Sequence, residues 1–92
     1  MTGAPLNDET TTLAQVRDRV RAFSEARDWR QYHSPRNLAM ALSVEASELL
    51  ELYLWSEDKG PQPALPERQA RVADEAADVL MCLVNLCDRA GI

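Results

Sequence analysis

Two pairs of carboxylates stand at one-turn spacing in this sequence: E-x-x-E at Glu45 and Glu48, and E-x-x-D at Glu75 and Asp78. Residues three apart on a helix project from the same face. Both pairs also border apolar stripes, where a bare carboxylate is costly unless something neutralises it. If the two carrier helices pack antiparallel, four oxygen donors converge with no His or Cys among them. Such a set suits a hard cation, Mg2+ or Mn2+. Mg2+ keeps several waters and takes the rest of its shell from phosphate oxygens. A carboxylate cluster open to a pocket can therefore hold a nucleoside triphosphate and activate a water. The competing reading pairs the carboxylates with Arg36, Arg68 or Arg71; Arg71 precedes Glu75 by one helical turn and can reach it. A single E-x-x-E is common on solvated helices, and two pairs against apolar faces say more. A di-iron bundle would use Glu-x-x-His pairs, and Asp78 stands where the second histidine would be.

Helices must position these groups. Leu42, Leu49 and Leu52 repeat at helical spacing. Ser34 and Pro35 make a strong helix start, an N-cap serine followed by proline at the first helical position. A helix from there to about Glu57 puts Asn37, Leu38, Ala41, Glu45 and Glu48 on one broad face. Glu51 continues the ladder but drifts round the helix, so a solvated carboxylate describes it as well as a site role does. A loop rich in Gly and Pro, 56–66, leads to a helix opened by Pro66, running to about Arg89 with Gly91 just beyond. From Ala76 to Cys87 that helix is apolar almost all round, the pattern of burial against several neighbours. Asn85 lies inside this stretch and needs a partner. A hydrogen bond in the core or across a subunit interface is favoured over a ligand contact, which makes it a substrate-binding candidate of second rank.

Upstream, the run Thr10 to Thr12 offers an N-cap, and Leu13, Val16, Val20 and Phe23 predict a helix to about Asp28. Trp29 to His33 is a ring-rich connection. Its rings either cap the end of the core or line a pocket for a planar ligand. Asn37, two turns before Glu45, could reach the same pocket.

Composition narrows the class. The chain reads as one domain of 92 residues, a flexible lead-in over 1–9 and a helical domain over 10–92. Leu and Ala dominate its apolar residues, which favours an all-α antiparallel bundle. Three helices bury a modest core, so homo-oligomerisation would complete it. The net charge of −5 disfavours a nucleic-acid polymer as partner. Cys82 and Cys87 are separated by roughly 7.5 Å of helical rise and point apart, so reduced thiols in a cytoplasmic protein are expected. No signal peptide or membrane span is visible. No Gly-rich phosphate loop is present, and the lone His33 has no nucleophile setting around it.

Taken together, WRQYHSPRNLAMAL over 29–42, the two carboxylate pairs and Trp55 resemble the MazG-like all-α nucleotide pyrophosphohydrolases. The likeness spans about 12–90 and is strongest to the dCTP pyrophosphatase branch. It implies Mg2+-dependent cleavage of a (deoxy)nucleoside triphosphate, dCTP-like, to the monophosphate and pyrophosphate. It implies that Glu45, Glu48, Glu75 and Asp78 hold the metal, with Glu45 and Glu48 as the catalytic pair. Trp29, His33, Asn37 and Trp55 would form the base and sugar pocket, in a homodimer or homotetramer. Val44 stands where family members often carry another glutamate, and Cys82 where a tyrosine is common. Members usually continue into a further helix that helps bind phosphates, and this sequence ends at Ile92. The alternative is a non-catalytic helical module that senses nucleotides or docks on a partner protein.

Overall fold

Each N-terminal cap that the sequence offers is formed. In the computed structural model, which describes residues 5–54 and 66–92, α1 spans Leu13–Ala26, α2 Pro35–Glu51 and α3 Pro66–Ala90. A 3-10 turn, Trp29–Tyr32, joins α1 to α2. No strand occurs among the described residues. Thr12 and Gln15 close a capping box: Gln15 N–H donates to the Thr12 hydroxyl at 3.1 Å, and Thr12 N–H donates to Gln15 Oε1 at 2.7 Å. Ser34 accepts from Asn37 N–H at 3.1 Å, with Pro35 in the first turn. Within the lead-in, Asn7 Oδ1 accepts the amides of Glu9 and Thr10, both at 2.9 Å, which shapes a local turn.

Two helix ends fall earlier than the periodicity suggests. α1 stops at Ala26 because Asp28 takes the left-handed conformation, with φ of 56°, which no helix continues through. α2 stops at Glu51 instead of near Glu57. Leu52 and Tyr53 bond to carbonyls three residues back, a tightening that ends the α-helix. The expected loop and Trp55 lie outside the described residues, as do residues 1–4.

α3 is the middle helix, packed on both α2 and α1. Its pairing with α2 is antiparallel. Glu51 and Leu52 share a hollow with Arg68 and Arg71, Glu48 meets Glu75, and Glu45 meets Asp78 across a cavity that Leu38 and Asn85 also line. Moving up one helix is thus moving down the other. The carboxylate pairs face each other for this reason.

The expectation that α3 is buried all round is not met within the chain. Leu80 is 50% exposed and Leu83 44%, and Leu13, Met40, Val44 and Leu50 are bare as well. Only Val20 and Leu38 are buried apolar side chains among the described residues. Two neighbours cannot cover every side of one helix. The accessible surface of 7169 Å2 exceeds the about 5,400 Å2 expected for a folded monomer of this mass.

Asp88 ties the helices together. Its Oδ2 accepts from Arg21 Nε at 2.9 Å and from Arg30 Nη1 at 3.1 Å, and its Oδ1 accepts from Arg21 Nη2. The hydrogen bonds from Arg21, with those from Arg30, hold this buried carboxyl down at about 2. A depressed carboxylate stabilises the fold above its unfolded value near 3.9 and loses that contribution as pH falls toward 2. Denaturant melts at pH 5, 3 and 2 should show an acid loss about 1–2 kcal/mol larger in the unaltered chain than in Asp88→Asn. Equal losses would remove Asp88 from the acid transition.

Candidate active site

α2 presents Glu45 and Glu48, and α3 presents Glu75, so that one oxygen from each lies within 4.8 Å of the others. All three are half-buried. Glu45 Oε2 and Glu75 Oε2 are buried with no hydrogen-bond partner among the described residues. No arginine satisfies those two oxygens, so the arginine-pairing alternative leaves the centre of the cluster unexplained. Arg68 and Arg71 border a separate hollow of about 300 Å3 with the exposed Glu51. Burial pushes the Glu45 carboxyl up to about 7, helped by Glu75 and Glu48 at its side and by the charge of Asp78. Such a cluster calls for a proton or a cation. Three convergent carboxylates, two of which carry an orphaned oxygen, fit a hard divalent ion. Asp78 lies beside this group and not in it: it lines the adjoining cavity with Glu45 and acts on Glu45 through its charge.

That cavity, about 530 Å3, opens between the 3-10 turn, the first half of α2 and the last half of α3. It brings together four of the predicted pocket residues, Trp29, His33, Asn37 and Asn85, with Glu45 and Asp78. The fifth, Trp55, lies outside the described residues. Trp29 and Tyr32 do not cap the core; they are 45% and 65% exposed and form a wall of the cavity. Trp29 is braced from behind by an edge-on contact with Phe23, ring centres 5.6 Å apart. Asn37 Nδ2 donates to the Tyr32 carbonyl at 3.0 Å, which joins α2 to the wall.

Two more polar groups facing this space lack partners. His33 Nδ1 is buried and unbonded among the described residues, and burial, with Arg30 and Arg89 nearby, lowers the imidazole's proton affinity. Asn85 is 5% exposed and its Oδ1 is unbonded. Of the two roles the sequence left open for Asn85, no core hydrogen bond to that oxygen forms among the described residues. Cys82 lines the cavity as a free thiol, and burial with the charges of Glu45 and Asp78 raises its pKa. It is therefore a poor nucleophile. Met81 also lines the cavity without having been singled out. Met81 follows Asp78 by three residues, so helical spacing alone points to it.

This architecture has relatives. A model of the MazG-like family matches residues 40–92. The chain is 42% identical to dCTP pyrophosphatase 1 of Rattus norvegicus over 83 residues, 88% of this chain and 49% of that protein. It is 42% identical to dCTP pyrophosphatase 1 of Homo sapiens over the same shares. The chain thus spans about half the length of the curated relatives it matches. A crystal structure of a pyrophosphatase from Archaeoglobus fulgidus superposes with a TM-score of 0.77 at 36% identity, covering 96% of this chain and 82% of that one. The family match across the carboxylate helices and the likeness of the whole fold lead to one assignment: the chain belongs to the MazG-like family.

Proposed function

We propose that the protein is a Mg2+-dependent nucleoside triphosphate pyrophosphohydrolase, cleaving a dCTP-like (deoxy)nucleoside triphosphate to the monophosphate and pyrophosphate. The observation that carries this reading is one juxtaposition. A cluster of three carboxylates within reach of a single cation adjoins, through Glu45, a cavity of about 530 Å3 with an aromatic wall. Glu45, Glu48 and Glu75 would hold Mg2+ or Mn2+, with Asp78, beside the cluster, as the fourth carboxylate expected of the metal site; the ion supplies Lewis-acid activation of phosphate and water when bound. Glu45 and Glu48 would orient the attacking water. Trp29 and Tyr32 offer stacking faces to a base, and Asn37, His33 and Asn85 offer polar groups to base and sugar. The uncovered apolar surface supports action as a homodimer or homotetramer. Free Cys82 and Cys87 fit a reduced, cytoplasmic setting, and among the described residues no helix is long and apolar enough to cross a membrane.

The test incubates the protein with Mg2+ and a panel of nucleoside triphosphates and separates the products. Monophosphate plus pyrophosphate is expected, fastest with a deoxycytidine nucleotide. Release of orthophosphate with the diphosphate overturns the reading. Tight nucleotide binding without metal-dependent turnover favours the non-catalytic module.

Asn85→Leu separates stability from binding. A buried amide oxygen without a partner costs on the order of 1–3 kcal/mol. An apolar side chain of similar size removes that cost, so the melting temperature rises by several degrees. The same change takes a polar group from the cavity, and KM rises about 10-fold. Unchanged KM would remove Asn85 from the binding surface; a lower melting temperature would mean that its oxygen is satisfied.

A further inference from the structure

We propose that the last turn of α3 is a positioning device for the aromatic wall, with Asp88 a positioning residue that acts through Arg30. The inference rests on the proposed function for its kinetic consequences. The wall is a 3-10 turn of four residues, Trp29–Tyr32. Such a turn has poor internal hydrogen-bond geometry and little rigidity of its own. Its orientation must come from outside.

Beside the Phe23 contact to Trp29 and the Asn37 bond to the Tyr32 carbonyl, two clamps come from consecutive residues of α3. Asp88 Oδ2 accepts from Arg30 Nη1 at 3.1 Å, and Arg89 Nε donates to the His33 carbonyl at 3.0 Å. Arg30 sits between Trp29 and Tyr32 in sequence; it reaches α3 while those two rings line the cavity. One contact thus seizes the middle of the turn and the other its end. The Asp88 side chain is 8% exposed and that of Arg30 21%, so water screens the pair weakly.

Asp88 is itself oriented. Arg21 of α1 engages both of its oxygens with a two-pronged guanidinium contact, which sets the plane of the carboxylate. The order of support is therefore Arg21, Asp88, Arg30, then the rings. α3 also carries Glu75, Asp78 and Asn85. One helix thus carries Glu75 and Asp78 and, through its last turn, holds the wall against which a base would stack. Arg30 has a second, longer contact to Glu25 at 3.7 Å, on the exposed side, which cannot orient it equally well.

The experiment uses Arg30→Ala and Arg30→Lys in the full chain. Both leave the Arg21–Asp88 pair between α1 and α3 in place, so the helices stay joined. In Arg30→Ala, KM for the preferred triphosphate rises about 10-fold, kcat stays within about twofold, and selectivity between bases flattens. Arg30→Lys keeps the charge but not the planar fork, so its KM falls between the two. Amide hydrogen exchange over 29–33 quickens in Arg30→Ala while exchange in α2 and α3 is unchanged. Normal KM, selectivity and exchange in Arg30→Ala would overturn the proposal, as would kcat and KM failing together with a lost melting transition. If the unaltered chain releases no pyrophosphate, the functional reading fails separately. Exchange over 29–33 then still decides whether Arg30 holds the wall.

Discussion

Glu45→Gln gives a metal-free protein that is more stable at pH 8 and releases pyrophosphate at least about 100-fold more slowly. Both effects come from one carboxylate. Glu45 Oε2 has no donor, and burial with the neighbouring Glu75 and Glu48 pushes the carboxyl up to about 7. A carboxyl raised in the folded state destabilises the fold progressively as pH climbs from the unfolded value near 4.5 to about 7, and fully above that. The penalty is on the order of 1–2 kcal/mol once solvent screening is allowed for. Glutamine keeps the shape, drops the charge and brings an amide that can donate to Glu48 or Glu75. Its gain should be present at pH 8 and absent at pH 4. The cost is catalytic: an amide is a weak ligand for a hard cation and cannot orient or deprotonate water. Thermal melts in chelator at both pH values, with pyrophosphate release measured in Mg2+, check the pair of effects. Equal melting at pH 8 would show that Glu45 is already neutralised within the protein. Full turnover would remove it from the site.

Mg2+ or Mn2+ raises the melting temperature at pH 8 and has little effect at pH 5. Three carboxylates within 4.8 Å repel one another when ionised, and a bound cation converts that repulsion into attraction. Binding to the folded state alone contributes about 2.7 kcal/mol when the free ion stands at 100 times its Kd, several degrees for a domain of this size. At pH 5 Glu45 holds its proton, which the ion must displace, so the gain shrinks. Glu75→Gln should remove most of the cation's effect, because Glu75 is the member that α3 contributes to the cluster. A shift of equal size at pH 5 and pH 8, or one that survives Glu75→Gln, would place the ion elsewhere.

The helices and their starts were legible because their causes are local. Thr12, Ser34 with Pro35, and Pro66 act within one turn of themselves, and helical spacing puts Glu45 with Glu48 and Glu75 with Asp78 whatever the rest of the chain does. The ends of α1 and α2 were less legible. Apolar periodicity runs on past Ala26 and Glu51, whereas the backbone turns at Asp28 and tightens after Leu52.

What sequence alone determined about this protein is its helical class, its acidic pairs and its family likeness. Tertiary structure decided how those pairs are used. Antiparallel packing put Glu75 with Glu45 and Glu48, and set Asp78 beside them as a neighbouring charge. It left Asn85 Oδ1 without a partner among the described residues and set Trp29 and Tyr32 along a cavity. It also built the Arg21–Asp88–Arg30 network, which joins positions 67 and 58 residues apart. Spacing along one helix reports only what its own turns bring together, within about 6 Å. Ion pairs, orphaned oxygens and shifted proton affinities arise where separate helices meet, from distances and burial that no local pattern encodes.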